Sequence, residues 1–169
     1  MLYPIGIQSF SEIRSRGFVY VDKTAKMYKM VSEGKYYFLS RPRRFGKSLL
    51  ISTLEEYFLG HKELFEGLAV AGLEKDWIEY PLLHLDLNTK KYDSVSALNS
   101  ILNVALSNWE TIYGSNPVED DFSARFEGVI RRASEKTGRN VVILVDEYDK
   151  PLLQAIGDKE LQEEYRGVL

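Results

Sequence analysis

The sequence predicts an α/β fold, a parallel sheet flanked by helices, and three features predict it. Apolar runs that suit strands alternate with stripes at helical spacing through the whole chain, with no internal repeat or low-complexity tract. The run Tyr36–Ser40 ends abruptly in a basic loop that closes with Gly46, Lys47 and Ser48 and leads into a helix. The run Val141–Val145 is unbroken, β-branched and aliphatic, as expected of a parallel strand covered on both faces, and it ends on Asp146 and Glu147. A strand, loop and helix in the first case, and a strand ending in acids in the second, are parts of a P-loop NTPase-type sheet.

Taken in order, Ser9 to Glu12 spell a capping box ahead of Ile13, which predicts a short helix ending at Gly17. Phe18–Val21 suits a short strand. Asp22 or Thr24 caps a second helix with Met27, Met30 and Val31 on its face and Gly34 at its end. Tyr20, Asp22, Lys23 and Thr24 are open to two readings, contacts to a nucleotide base or plain capping and solvation.

Tyr36–Ser40 is short, aromatic and bounded by Gly34 and Pro42, so it suits a buried strand. From Lys47 the period changes: Leu50, Thr53, Leu54, Tyr57 and Phe58 share a helix face, and Gly60 stops it. Amide groups of the loop and of the first helical turn converge and have no partner within the helix, so they suit a phosphate chain. The predicted cradle runs through Arg43, Arg44, Phe45, Gly46, Lys47, Ser48 and Leu49. Lys47 reaches the β and γ phosphates as a compact cation, and the Ser48 hydroxyl takes one place in the octahedral shell of Mg²⁺. Gly46 lets the backbone pass close to the phosphates. Arg41 stands where the usual loop has its first glycine, and with Pro42 after it an extended backbone is expected there. Gly-Lys-Ser can also simply open an amphipathic helix.

His61 to Tyr80 is less regular, with one helical turn expected around Leu64 and Phe65. Leu82–Leu87 alternates between Pro81 and Asn88 and reads as a strand, with His84 as a core histidine. A long helix follows from near Ser94 to Gly114, its core stripe being Val95, Leu98, Ile101, Leu102, Ala105, Trp109 and Ile112. Asn116-Pro117 turns the chain, and Glu119, Asp120 and Asp121 sit where a helix start favours negative charge. Phe122, Phe126, Val129, Ile130 and Ala133 line the next helix, which Gly138 closes. After the aliphatic strand, Asp146 suits the Mg²⁺ shell, and Glu147 suits orienting and deprotonating an attacking water. Tyr148 and Asp149 read as structural, Pro151 begins a new helix, and the segment from Asp158 is helical.

Composition narrows the classes. The length fits one domain, and a hydrophobic fraction of 44% can bury a core. A formal charge of −3, mixed along the chain, argues against a nucleic-acid or membrane surface overall. The absence of cysteine excludes disulfides and thiolate metal sites. No run approaches membrane-spanning length and no basic leader precedes an apolar core, so the expected location is the cytoplasm.

Three stretches, Phe18–Thr24, Phe38–Leu49 and Ile143–Pro151, carry a resemblance over nearly the whole chain. The sequence resembles the bacterial AAA-ATPase-like family, in which arginine at the first loop position is typical. The resemblance implies ATP binding at Lys47 and Ser48, metal at Asp146 and a catalytic Glu147, with Lys47 acting on the phosphates. Many family members carry a restriction-endonuclease-like domain further along. ATPases with a glutamate after the metal aspartate usually place another strand between the loop strand and the aspartate strand. No apolar strand candidate follows Pro151, so residues 1–169 are expected to be the N-terminal portion of an AAA-like domain, incomplete at its C-terminus. Residues 1–35 form a helical segment and 36–169 a nucleotide-binding core.

The leading expectation is an ATP-binding, ATP-hydrolysing domain that uses Mg²⁺, coupled through a later domain to nucleic acid. A nucleotide-dependent switch or scaffold with little turnover is the alternative. A small-molecule kinase lacks a visible acceptor site. Open sheet edges also predict self-association.

Overall fold

The computed structural model describes residues 2–40, 42, 45–89 and 91–168. They form two compact units, Met1–Leu82 and Leu83–Leu169.

In the first unit, helix α1 (Phe10–Ser15) starts as the capping box requires, with the Glu12 amide donating to Ser9 Oγ at 3.1 Å. Its Phe10 and Ile13 are fully buried. Helix α2 (Thr24–Glu33) is tied to the short helix α4 (Val70–Leu73) through two side chains. Asp22 accepts from the Thr24 amide and hydroxyl and, at 2.7 Å, from the Ala69 amide. Thr24 Oγ1 accepts from the Val70 amide at 3.1 Å. These two residues therefore hold the start of α2 and link it to α4. Helix α3 (Lys47–Phe58) buries Thr53, Leu54 and Tyr57, as its stripe predicts. It is docked on α1 by the Phe10 amide, which donates to Ser52 Oγ at 2.9 Å. A 3₁₀ turn, Lys62–Phe65, supplies the buried Phe65.

Two expected strands of this unit do not form. Phe18–Val21 is reduced to one parallel bridge between Leu2 and Phe18. Tyr36–Ser40 belongs to no strand, and Tyr36 and Phe38 are 95% and 69% exposed. The physical reason is that a strand exists only through lateral pairing, and the sheet among the described residues pairs two other segments. Tyr37 instead turns back, its hydroxyl donating to the Met30 carbonyl at 2.5 Å.

The second unit is a small two-strand parallel sheet flanked by helices. Strands β1 (Leu82–Asp86) and β2 (Val142–Asp146) are joined by helices α5 (Val95–Tyr113) and α6 (Phe122–Thr137), the long crossover a parallel pair requires. Asp121 Oδ1 caps α6 by accepting from the Ala124 amide, and Gly138 ends it in the left-handed conformation, φ 66°. Leu83, Leu106, Trp109 and Val129 form one core cluster. Leu87, Tyr92, Leu98, Ile101, Ala155 and Tyr165 form another with helices α7 (Lys150–Gln154) and α8 (Lys159–Val168).

Strand β2 departs from the expectation of cover on both faces. Leu144 and Asp146 are buried while Ile143 and Val145 are 42% and 41% exposed, so this strand is covered on one face only. Ile112, expected in the α5 stripe, is exposed, and Leu106 is buried instead. No helix among the described residues is long and apolar enough to cross a membrane.

Candidate nucleotide-binding site

The predicted site residues fall into two groups, one in each unit. In the first, Gly46 is the residue before α3 and adopts φ 74° and ψ 29°, left-handed geometry that a side chain resists. A Cβ at Gly46 would meet nothing within 4 Å, so the demand for glycine there is conformational and not steric. Gly46 offers no side chain to the first turn of α3, and its carbonyl accepts from the Leu50 amide at 3.0 Å, closing the first helical ring. Lys47, Ser48 and Leu49 occupy that turn and are half-buried, while Phe45 is exposed. Thr53 Oγ1 bonds the Leu49 carbonyl at 2.7 Å and is itself buried, which fixes the turn from below. Arg43 and Arg44, and with them Arg41, lie outside the described residues.

In the second group, Asp146 ends β2 with its side chain buried, and its Oδ1 accepts from the Glu147 amide at 2.9 Å. Its carbonyl accepts from the Leu87 amide at 3.1 Å, which extends the pairing of the two strands to their C-terminal ends. Glu147 has φ 54°, a left-handed backbone that costs a non-glycine residue about 1 kcal/mol or more. That backbone turn lets the Glu147 carbonyl accept from the Lys150 amide at 3.0 Å and begin α7.

Lys150 closes the same edge of the sheet. Its Nζ donates to the Asn88 carbonyl at 2.8 Å and to Asn88 Oδ1 at 2.9 Å, and lies 5.9 Å from the centre of the Tyr92 ring. Tyr92 donates its hydroxyl to the Leu87 carbonyl at 2.7 Å, and its amide donates to Gln154 Oε1 at 2.7 Å. Burial, with Asp86 and Tyr165 nearby, pushes the Tyr92 phenol up to about 12. The C-terminal ends of parallel strands are where α/β sheets bind ligands, and these bonds hold the loops there in place. The sequence marks Lys150 only as the start of a helix and does not single out Tyr92. The sequence signal was the Lys-Pro pair directly after Asp146–Asp149, a cation at the start of a helix where an acid is the usual choice.

A phosphate anion suits the left-handed glycine and the helix start of the first group. Each group by itself holds an oxygen of the hard kind that Mg²⁺ takes, the Ser48 hydroxyl in the first and the buried Asp146 carboxylate in the second. Among the described residues no cluster of three or more acidic or histidine side chains holds a metal alone.

A family model described as AAA-ATPase-like, "Predicted AAA-ATPase", matches residues 4–169. The chain is also 40% identical over 168 residues to an Azotobacter chroococcum (mcd 1) protein described as "Uncharacterized protein in vnfD 5'region". That alignment covers 98% of this chain and 32% of the relative, so the chain spans about a third of the relative's length. No solved structure matches.

Proposed function

The chain belongs to the AAA-ATPase-like family, and from that membership we propose that it binds ATP with Mg²⁺ and hydrolyses it. Lys47 and the amides of Phe45 to Leu49 bind the phosphates, and Arg43 and Arg44 are assigned to the same nucleotide from their place in the sequence. Ser48 and Asp146 are the residues assigned to Mg²⁺ in this reading. Glu147 takes the proton of the attacking water. In this reading residues 36–169 belong to the nucleotide-binding core of a P-loop NTPase-type fold.

The observation that carries the reading is Gly46, held left-handed at φ 74° directly before a helix of 12 residues that opens with Lys47 and Ser48. The left-handed acid that follows β2, Glu147, supports it independently, because backbone strain collects at functional positions.

Equilibrium dialysis with ATP and Mg²⁺ tests the reading on the wild-type protein and Gly46→Val. A β-branched residue resists the left-handed conformation, so the variant loses binding while its helical circular dichroism is kept. Equal ATP binding by the two proteins contradicts the loop assignment.

A further inference from the structure

A cleft of about 210 Å³ opens in the first unit between α2, the C-terminal end of α3 and the segment Glu74–Tyr80. Its aromatic lining is Tyr28, Tyr57, Phe58, Trp77 and Tyr80, and its charged groups are Glu74 and Asp76, with no basic side chain among the described residues that line it. We propose that this cleft binds a guanidinium group, the arginine side chain of another polypeptide.

The walls are built and fastened. Tyr80 donates its amide to the Phe58 carbonyl at 2.8 Å, and the rings of Phe58 and Tyr80 meet edge to face at 5.7 Å. Trp77 packs against Tyr57 at 5.8 Å and Phe65 at 5.1 Å. The Trp77 backbone is left-handed, φ 44°, which costs energy in a bulky residue and persists only where surroundings hold it. Gly60 makes room for that turn: a Cβ there would stand 3.0 Å from the Trp77 carbonyl oxygen. The same turn wraps the Glu74 carboxylate in amides, Lys75 at 2.8 Å and Asp76 at 3.0 Å, and the Tyr57 hydroxyl also donates to it. Burial alone raises the Glu74 carboxyl, but these donors outweigh it and hold it below its ordinary value, so Glu74 is charged at neutral pH.

Charge and shape together select the occupant. The Glu74 charge and the Asp76 carboxylate, beside aromatic side chains, attract a cation with a flat apolar surface, and a guanidinium both stacks on rings and bonds the Asp76 carboxylate in its plane. A quaternary ammonium brings no donor for the Asp76 carboxylate. A lysine ammonium is more strongly hydrated and loses more on entering. The volume lies below the roughly 300 Å³ at which pockets for free small molecules begin, and suits one side chain carried by a larger partner.

The test follows the Trp77 indole N–H by ¹H–¹⁵N correlation spectra as N-acetyl-arginine-N′-methylamide is added. The expected result is a saturable shift. Blocked citrulline, the uncharged isostere, and the Asp76→Asn protein should each weaken it by about tenfold. Asp76 is exposed on a turn, and the unperturbed remainder of the spectrum reports that the variant is folded. No saturable shift, or equal midpoints for arginine and citrulline or for the wild-type and Asp76→Asn proteins, overturns the proposal. Equal affinity for blocked lysine overturns the choice of guanidinium.

Discussion

The Glu147 amide donates to Asp146 Oδ1 at 2.9 Å, and it does so from a left-handed backbone, φ 54°. One carboxylate is thereby fixed by its neighbour's main chain, while that neighbour's side chain departs from the strand in a direction that an extended residue would not give it. The two acids are adjacent in sequence and differ in backbone conformation and in the role proposed for each, so their variants should differ in effect.

Glu147→Gln is expected to keep ATP binding and slow hydrolysis by about two orders of magnitude or more, since it removes the proton acceptor. Asp146→Asn should weaken binding in Mg²⁺ and leave the weaker metal-free binding unchanged. Calorimetry with and without Mg²⁺, paired with phosphate release, separates the two. Normal turnover by Glu147→Gln moves the base elsewhere, with Asp149 next in line.

Glu147→Gly should raise stability by about 1 kcal/mol, because glycine adopts positive φ without strain, and abolish turnover. Urea unfolding followed by circular dichroism measures the gain. A loss of stability would mean that contacts of the Glu147 side chain outweigh its backbone strain.

Gly128→Ala should lower stability even though alanine is the better helix former. A Cβ at Gly128 in α6 would stand 2.2 Å from Glu119 Oε1, and that carboxylate is held by Arg132 at 2.7 and 2.9 Å. In a Glu119→Ala background the obstruction is gone, and the same substitution should stabilise by about 1 kcal/mol. Thermal melts of the four proteins of this cycle provide the check, and equal effects in both backgrounds would contradict the packing described.

Acid lability should trace partly to Glu110. Its bidentate bonds with Arg125, both 2.8 Å, hold its carboxyl below its ordinary value against the opposing effect of burial. A lowered folded value means that the unfolded chain binds the proton first. The contribution is therefore present above the ordinary carboxylate range and lost as pH falls below it. Stability curves of the wild-type and Glu110→Gln proteins should converge as pH falls, and a constant gap down to low pH would contradict this.

Local signals in the sequence carried much of the fold because their physics is local. Ser9 and Glu12 set the start of α1, Asp121 and Gly138 bracket α6, and Gly46 stands left-handed directly before α3. Tyr36–Ser40 was misread because an apolar run does not encode which neighbour it will pair with. The same blindness hid the exposed face of β2, since Ile143 and Val145 look like core residues whether or not a layer covers them. Lys150 and Asn88 are 62 positions apart, and no spacing rule announces their bond. The left-handed turn at Glu147 and the Trp77 cleft depend on backbone angles that bulky or acidic residues rarely adopt, so their identities pointed the other way.

The proposed function turns on Lys47, at the start of α3 behind a left-handed Gly46, as the group that would bind the phosphates of ATP. Calorimetric titration of ATP with Mg²⁺ into the wild-type and Lys47→Ala proteins tests it most directly. Saturable binding by the wild-type protein is expected, with a loss of about a hundredfold or more in Lys47→Ala, since a charge-assisted contact to the β and γ phosphates disappears. Equal affinity of the two proteins would contradict it.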